Sequence, residues 1–240
     1  MVGAMLRTCL VLAPFTVVIV LVALVVMIPV TWVVRDIGPI YRVARSVVRA
    51  ILWVAGIRVE TRGSDPWRAP QPCVYLSNHA SNVDPPLVFV FLPRVAIMGK
   101  DVVFRIPLLG YALRLAEFIP VNRSERGSRR QALEAGMDRL RRGLSLLIFP
   151  EGTRSPDGRL LPFRPGPFTM AIEAQAPVVP ITLLGVRDVW PKGVPWLHPG
   201  QVTLVFHEPI PTQGLGQSDR EELMRRTREV IASALATPSN

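Results

Sequence analysis

The stretch Asn78-His79-Ala80-Ser81-Asn82-Val83-Asp84-Pro85-Pro86 sets an imidazole five positions before a carboxylate. Five residues of ideal helix would turn the two side chains about 140° apart, so one helix face does not present both. The prolines offer another route. Pro85 suits the first position of a helix, which makes Asp84 a candidate N-cap. Residues 78–83 then form an irregular turn, free to fold His79 back toward Asp84. A carboxylate on one imidazole nitrogen fixes the tautomer and stabilises the imidazolium, and the other nitrogen is left as a general base. The plainer alternative is a capping aspartate beside an ordinary loop histidine. Spacing alone leaves both open.

Two further segments carry polar groups straight off apolar runs. Phe118-Ile119-Pro120-Val121-Asn122-Arg123 ends in an arginine that composition alone would place on the surface. Phe149-Pro150-Glu151-Gly152-Thr153-Arg154-Ser155 gathers a glycine, hydroxyls and an arginine, a set suited to an anion. An ordinary polar turn has the same composition.

The elements that must position these groups follow from hydrophobic periodicity. Short apolar runs at 74–77, 95–98, 118–121, 144–149, 178–184 and 202–206 read as strands. Residues 107–116, 129–142 and 219–235 read as helices, the last capped by Ser218 or Asp219, and Phe163-Arg164-Pro165-Gly166 leads into another. Strands alternating with helices predict an α/β domain with a largely parallel mixed sheet flanked by helices. In such sheets, chemistry collects in loops at the carboxyl ends of strands. Pro180, inside a strand, predicts an edge or a bulge.

The N-terminal part is of a different kind. From Cys9 to Val34 no residue is charged. As a helix this run is about 39 Å long against a hydrocarbon layer of about 30 Å. It is too long for a signal-peptide core, and Val33-Val34-Arg35-Asp36 is a poor cleavage site. Residues 40–57 then place Arg42, Arg45 and Arg49 on one helical face, which predicts a helix in the headgroup layer with its arginines on lipid phosphates. The excess of arginine after the first helix puts the following domain on the cytoplasmic side of the cell's inner membrane. The segment either spans the bilayer or forms a hairpin within one leaflet. The division expected is 1–57 for the membrane-anchoring helices and 58–240 for the catalytic domain.

Composition narrows the function classes. The chain has 240 residues, 49% of them hydrophobic and 19% charged, which excludes a disordered chain. Two cysteines, Cys9 and Cys73, exclude a disulfide-stapled scaffold and a cysteine metal cluster. The net charge is +10, and residues 121–170 hold ten arginines against five acids. That basic middle suits an anionic membrane or a phosphorylated substrate. Nucleic acid is disfavoured, because aromatic stacking platforms are not interleaved with the arginines. With His79, His198 and His207 as the only histidines there is no zinc-protease spacing, and no nucleophile elbow, phosphate loop or dinucleotide fingerprint occurs.

Taken in order, Asn78-His79-x4-Asp84, Phe118-Ile119…Arg123, the Phe149 to Ser155 block and Val179-Pro180-Ile181 resemble the four sequence blocks of the glycerolipid acyltransferases. Within that family the chain is most similar to the bacterial 1-acylglycerol-3-phosphate acyltransferases of the PlsC type, over about residues 58–210. Gly99-Lys100…Phe104-Arg105-Ile106-Pro107…Gly110 fits the same pattern. The second block is longer than the shortest family spacing. Arg164 stands where lysine is common and Glu117 where a small residue is usual.

The resemblance implies a function: transfer of a fatty acyl group from acyl-CoA or acyl carrier protein to the sn-2 hydroxyl of lysophosphatidate, giving phosphatidate. It implies His79 as general base oriented by Asp84. It implies that Arg123, Glu151, Gly152, Thr153 and Arg154 hold the glycerol phosphate, with the Asn78 region near the oxyanion. No metal and no bound cofactor are expected. Another lysolipid or glycerol 3-phosphate as acceptor, and a non-enzymatic basic lipid-binding protein, are the alternatives.

Overall fold

The computed structural model describes residues 3, 8–34, 36–66, 68–122 and 124–236. A π-helical turn at Thr8–Leu12 leads into α1 (Ala13–Val34), and α2 (Gly38–Val54) follows with Pro39 in its first turn. Strand β1 (Ile57–Gly63) and strand β2 (Val74–Ser77) precede α3 (Asp84–Phe91). Then come β3 (Val95–Lys100), a 3-10 turn at Asp101–Arg105, α4 (Leu109–Leu115) and β4 (Ile119–Val121). Helix α5 (Arg126–Arg141), β5 (Ser145–Ile148), α6 (Gly166–Glu173) and β6 (Val178–Leu184) continue the alternation. The short α7 (Val186–Val189), β7 (Gly200–Phe206) and α8 (Arg220–Ala236) complete it.

Among the described residues, seven strands form one sheet in the order β1-β7-β6-β2-β5-β3-β4. All neighbouring pairs are parallel except β6 with β7. Strands β2 and β5 are buried at every position, as parallel strands covered on both faces must be. One face carries a cluster with Leu52 of α2, Leu87 and Val88 of α3, Leu147 and Leu204. The other packs Phe168 and Met170 of α6, Leu140 of α5 and Ile231 of α8 against Leu76 and Leu146.

Pro180 is a correction to the edge or bulge expected of it. It lies inside β6, which has β2 on one side and β7 on the other. The β7 ladder begins only at Ile181, so the hydrogen that proline lacks falls beyond the last ladder pair. Its carbonyl, on that same side, accepts from the His207 N–H at 3.1 Å. Strand β1 was not expected. Its alternation is mostly polar, Arg58, Glu60 and Arg62 among its residues, because it is an edge strand paired on one side only.

Helix α2 belongs to the same apolar cluster as the sheet, so the expected boundary at residue 57 falls within one continuous core. The Tyr41 hydroxyl reaches the carbonyls of Val95 at 2.9 Å and Ala116 at 3.0 Å. Arg45 also turns inward. It donates to the Leu92 carbonyl at 2.6 Å, closing the end of α3, and its guanidinium lies 5.7 Å over the Phe89 ring. Of the three arginines expected in the headgroup layer, Arg42 and Arg49 are exposed and Arg45 is not available.

Candidate active site

The central parallel strands end at one edge of the sheet, and the loops that follow them carry the residues singled out above. His79 follows β2. Its Nδ1 lies 2.7 Å from Asp84 Oδ2, and both side chains are buried. Asp84 does not cap its helix. It is the first residue of α3, with Val83 in the N-cap position. Its carboxylate reaches backward instead, and Oδ2 also accepts the backbone N–H groups of Ala80 and Ser81, each at 2.7 Å. The turn that folds His79 back is therefore tied to the carboxylate that braces it. Among the described residues, Asp84 Oδ1 is buried without a hydrogen-bond partner.

The block after β5 holds the same histidine from its other side. The Phe149 ring stacks on the imidazole with centroids 4.4 Å apart. Glu151 Oε1 accepts the His79 backbone N–H at 2.7 Å, and Oε2 accepts that of Leu161 at 2.9 Å. The Ser155 N–H donates to the His79 carbonyl at 2.7 Å. Glu151 was expected among the substrate-holding residues. Both of its oxygens instead engage backbone, and burial pushes its carboxyl up to about 7. The part Ser155 plays is not legible in the residue types, because a backbone hydrogen bond leaves no side-chain signature.

Asn78 likewise faces the fold. Its Nδ2 donates to the Leu183 carbonyl at 3.0 Å, and its Oδ1 accepts the Leu183 N–H at 2.7 Å. These bonds join β2 to the end of β6 and engage both ends of the amide with Leu183. Gly152 adopts φ +70°, and a Cβ there would stand 2.5 Å from Arg164 Nε. Arg164 therefore lies directly over the glycine. Thr153 is exposed and Arg154 half-buried, with the Arg154 carbonyl accepting from Lys192 Nζ at 2.8 Å. Arg123 lies outside the described residues. Lys100 ends β3 at this same edge of the sheet.

An open cavity of about 300 Å³ adjoins the histidine through Phe149. Met98, Val121 and Leu133 give it an apolar wall, and Arg129 and Arg164 give it cations. A larger hollow of about 450 Å³ lies at the opposite edge, lined by Arg68, His207 and Glu208 among others. It is remote from the His79 pair, and burial lowers the His207 pKa there.

Fold and site together define an α/β protein with a carboxylate-braced histidine at the carboxyl edge of its parallel strands. The Acyltransferase family model matches residues 58–184, and the chain belongs to that family. It is 39% identical over 140 residues to a chloroplastic 1-acyl-sn-glycerol-3-phosphate acyltransferase of Brassica napus, covering 58% of this chain and 41% of that one. To the human 1-acyl-sn-glycerol-3-phosphate acyltransferase alpha it is 33% identical over 189 residues, covering 78% of this chain and 67% of the relative. A relative from Limnanthes alba with the same enzyme name is 36% identical over 165 residues, 58% of its length. The chain thus spans about half the length of these plant relatives. The crystal structure of the 1-acyl-sn-glycerophosphate acyltransferase PlsC from Thermotoga maritima superposes with a TM-score of 0.82, over 99% of this chain and all of that one. At 24% identity this likeness shows the fold.

Proposed function

We propose that the protein transfers an acyl group from a thioester to the sn-2 hydroxyl of 1-acylglycerol-3-phosphate. The observation that carries this reading is the His79–Asp84 pair at 2.7 Å, at the edge where the parallel strands end. With Nδ1 engaged by Asp84, Nε2 is the nitrogen left for substrate. It removes the hydroxyl proton as the acceptor oxygen attacks the thioester carbonyl. The imidazolium is stabilised by Asp84. Collapse of the tetrahedral intermediate breaks the C–S bond, and the proton passes to the departing thiolate. Transfer is direct, with no acyl-enzyme.

The cavity beside Phe149 supports a lipid acceptor with an anionic head, since its wall is apolar and its rim holds Arg129 and Arg164. Arginine matches two phosphate oxygens at once. The acyl donor is acyl-CoA or acyl carrier protein, and the chemistry assigned to the side chains calls for no bound cofactor.

The membrane reading belongs to the same proposal. Thr8–Val33 is a helical run of 26 residues, long and apolar enough to cross a membrane. Its two ends both touch the catalytic body, Thr8 Oγ1 accepting the Leu197 N–H at 3.1 Å and Trp32 Nε1 donating to the Tyr111 hydroxyl at 2.9 Å. A helix tied at both ends to one domain lies along it, which favours burial in one leaflet over a span. The cytoplasmic leaflet of the inner membrane is the one favoured by the arginines that follow α1.

The test is thiol release by the purified protein in detergent, with palmitoyl-CoA and lysophosphatidate. Wild type is expected to release thiol only with acceptor present, and His79→Ala is expected to abolish it while keeping the fold. Ordinary turnover in His79→Ala would refute the general base. Release only with other acceptors would move the substrate assignment. Consumption of neither CoA nor carrier-protein thioesters would refute the enzyme reading.

A further inference from the structure

We propose that the catalytic body carries a lipid-docking surface of its own, built by the 3-10 turn Asp101–Arg105 and the start of α4, which seats on the bilayer that receives α1. The proposal extends the membrane reading above and rests on it. Val102, Val103, Ile106, Leu108 and Tyr111 are all exposed on this short segment, Ile106 at 49%. A contiguous apolar group of this kind on a protein surface marks a contact site.

The presentation is built into the local fold. Phe104 is buried beneath the turn and anchors it. Gly110 lets the chain close on that anchor, for a Cβ there would meet the Phe104 carbonyl oxygen at 2.1 Å. Arg114 clamps the two ends, donating to the carbonyls of Phe104 at 3.0 Å and Gly110 at 3.2 Å. Its guanidinium also lies 5.7 Å over the Phe104 ring. Leu108 is held at φ +59°, a conformation that leucine disfavours and that these contacts enforce, and its side chain is nonetheless exposed.

The occupant follows from what the patch adjoins. Tyr111 receives the hydrogen bond from Trp32, at the end of the helix whose outer stripe of Val18, Leu21, Val22 and Val25 is exposed and wholly apolar. The patch continues that stripe onto the body. A tryptophan and a tyrosine at the join suit the depth of the membrane–water interface. Exposed Lys100 and Arg105 flank the apolar group, Arg105 paired with Asp101, in reach of lipid phosphates. The segment also follows β3 at the edge that holds His79. Seating it on the bilayer brings that edge to the lipid surface, where an acceptor keeps its acyl chain in hydrocarbon.

The experiment uses the full chain carrying Cys9→Ser. The remaining thiol, Cys73, is buried and pushed up to about 11, so it does not label. An environment-sensitive fluorophore is placed at Val103→Cys or Ile106→Cys, and at Gln131→Cys on the exposed face of α5 as the control. Protein is floated with phosphatidylethanolamine–phosphatidylglycerol vesicles, with and without bromine on the acyl chains. Blue-shifted emission at 103 and 106, quenched at least threefold more by brominated chains than at 131, is the expected result. Water-exposed labels at 103 and 106 on protein that floats would overturn the docking surface and leave the role of α1 standing. A blue shift without bromine quenching would overturn it in favour of contact with a second copy. Failure to float would overturn the membrane reading itself.

Discussion

His79 is held by contacts of different kinds: a carboxylate on its ring nitrogen, a carboxylate on its backbone N–H, the Ser155 N–H on its carbonyl, and a stacked phenyl ring. The two carboxylates predict different variants. Asp84→Asn puts an amide where one oxygen serves the imidazole and two backbone donors. With tautomer and imidazolium no longer supported, kcat is expected to fall by about 10³–10⁴ with near-wild-type circular dichroism; a loss below tenfold would show that Asp84 only shapes the loop. For Glu151, burial raises the carboxyl to about 7 from its ordinary 4.5. A carboxyl with a raised folded pKa binds its proton more tightly when folded. Its contribution to stability is therefore largest at low pH and is lost as pH rises from about 4.5 to about 7. The stability of wild type relative to Glu151→Gln is expected to drop by roughly 3 kcal/mol between about pH 5 and pH 8 in urea unfolding. A pH-independent difference would mean that the carboxyl titrates normally. Gly152→Ala is expected to cost about 1–2 kcal/mol from the positive φ alone. It also displaces Arg164, so KM for the phosphorylated acceptor should rise with little change in kcat; an unchanged KM would remove Arg164 from the site.

Elements differ in how far their residues announce them. Strands β2, β5 and β6 were legible because burial on both faces leaves an unbroken apolar run. Strand β1 was not, since one paired edge and a polar outer face erase that signal. The prolines that start α3 opened the His79–Asp84 pairing without deciding it, and the carboxylate braces the preceding loop rather than capping the helix. What could not be read was where long side chains turn. Arg45 has the spacing of a lipid-facing arginine, yet the unsatisfied carbonyl at the end of α3 draws it inward. Glu117 seemed a departure in sequence. It sits at φ +62° and gathers Arg94 and Arg142 at 3.0 and 2.5 Å, joining the end of α4 to the end of α5. The Tyr41 hydroxyl joins α2 to two carbonyls of the body. Tyr41→Phe is expected to lower stability by about 1–3 kcal/mol through unsatisfied buried carbonyls, read as a lower thermal midpoint in detergent. An unchanged midpoint would show that water replaces the hydroxyl.

At the scale of the whole molecule, the N-terminal helices share an apolar core with the domain they were expected to anchor. Leu12, Ile40, Tyr41, Leu52 and Ala55 lie in the same cluster as Leu87, Leu147 and Leu204. Removing residues 1–57 is therefore expected to unfold the body, whereas removing 1–36 keeps α2 and is expected to keep the fold; circular dichroism melts of the two truncations decide this, and a cooperative melt after the longer deletion would separate the domains. The net charge of +10 and the cavity rimmed by Arg129 and Arg164 suit an enzyme that meets anionic lipid throughout its cycle. The pairing of β1 with β7 has a further consequence. Ile57 lies against Gly200 and Thr8 against Leu197, so these elements are made well before the residues they pair with. Translation must therefore deliver an apolar helix and an unpaired strand well before the residues that cover them. Under the membrane reading, early insertion of α1 into lipid would shelter the nascent chain through that interval, and the bilayer would then take part in folding.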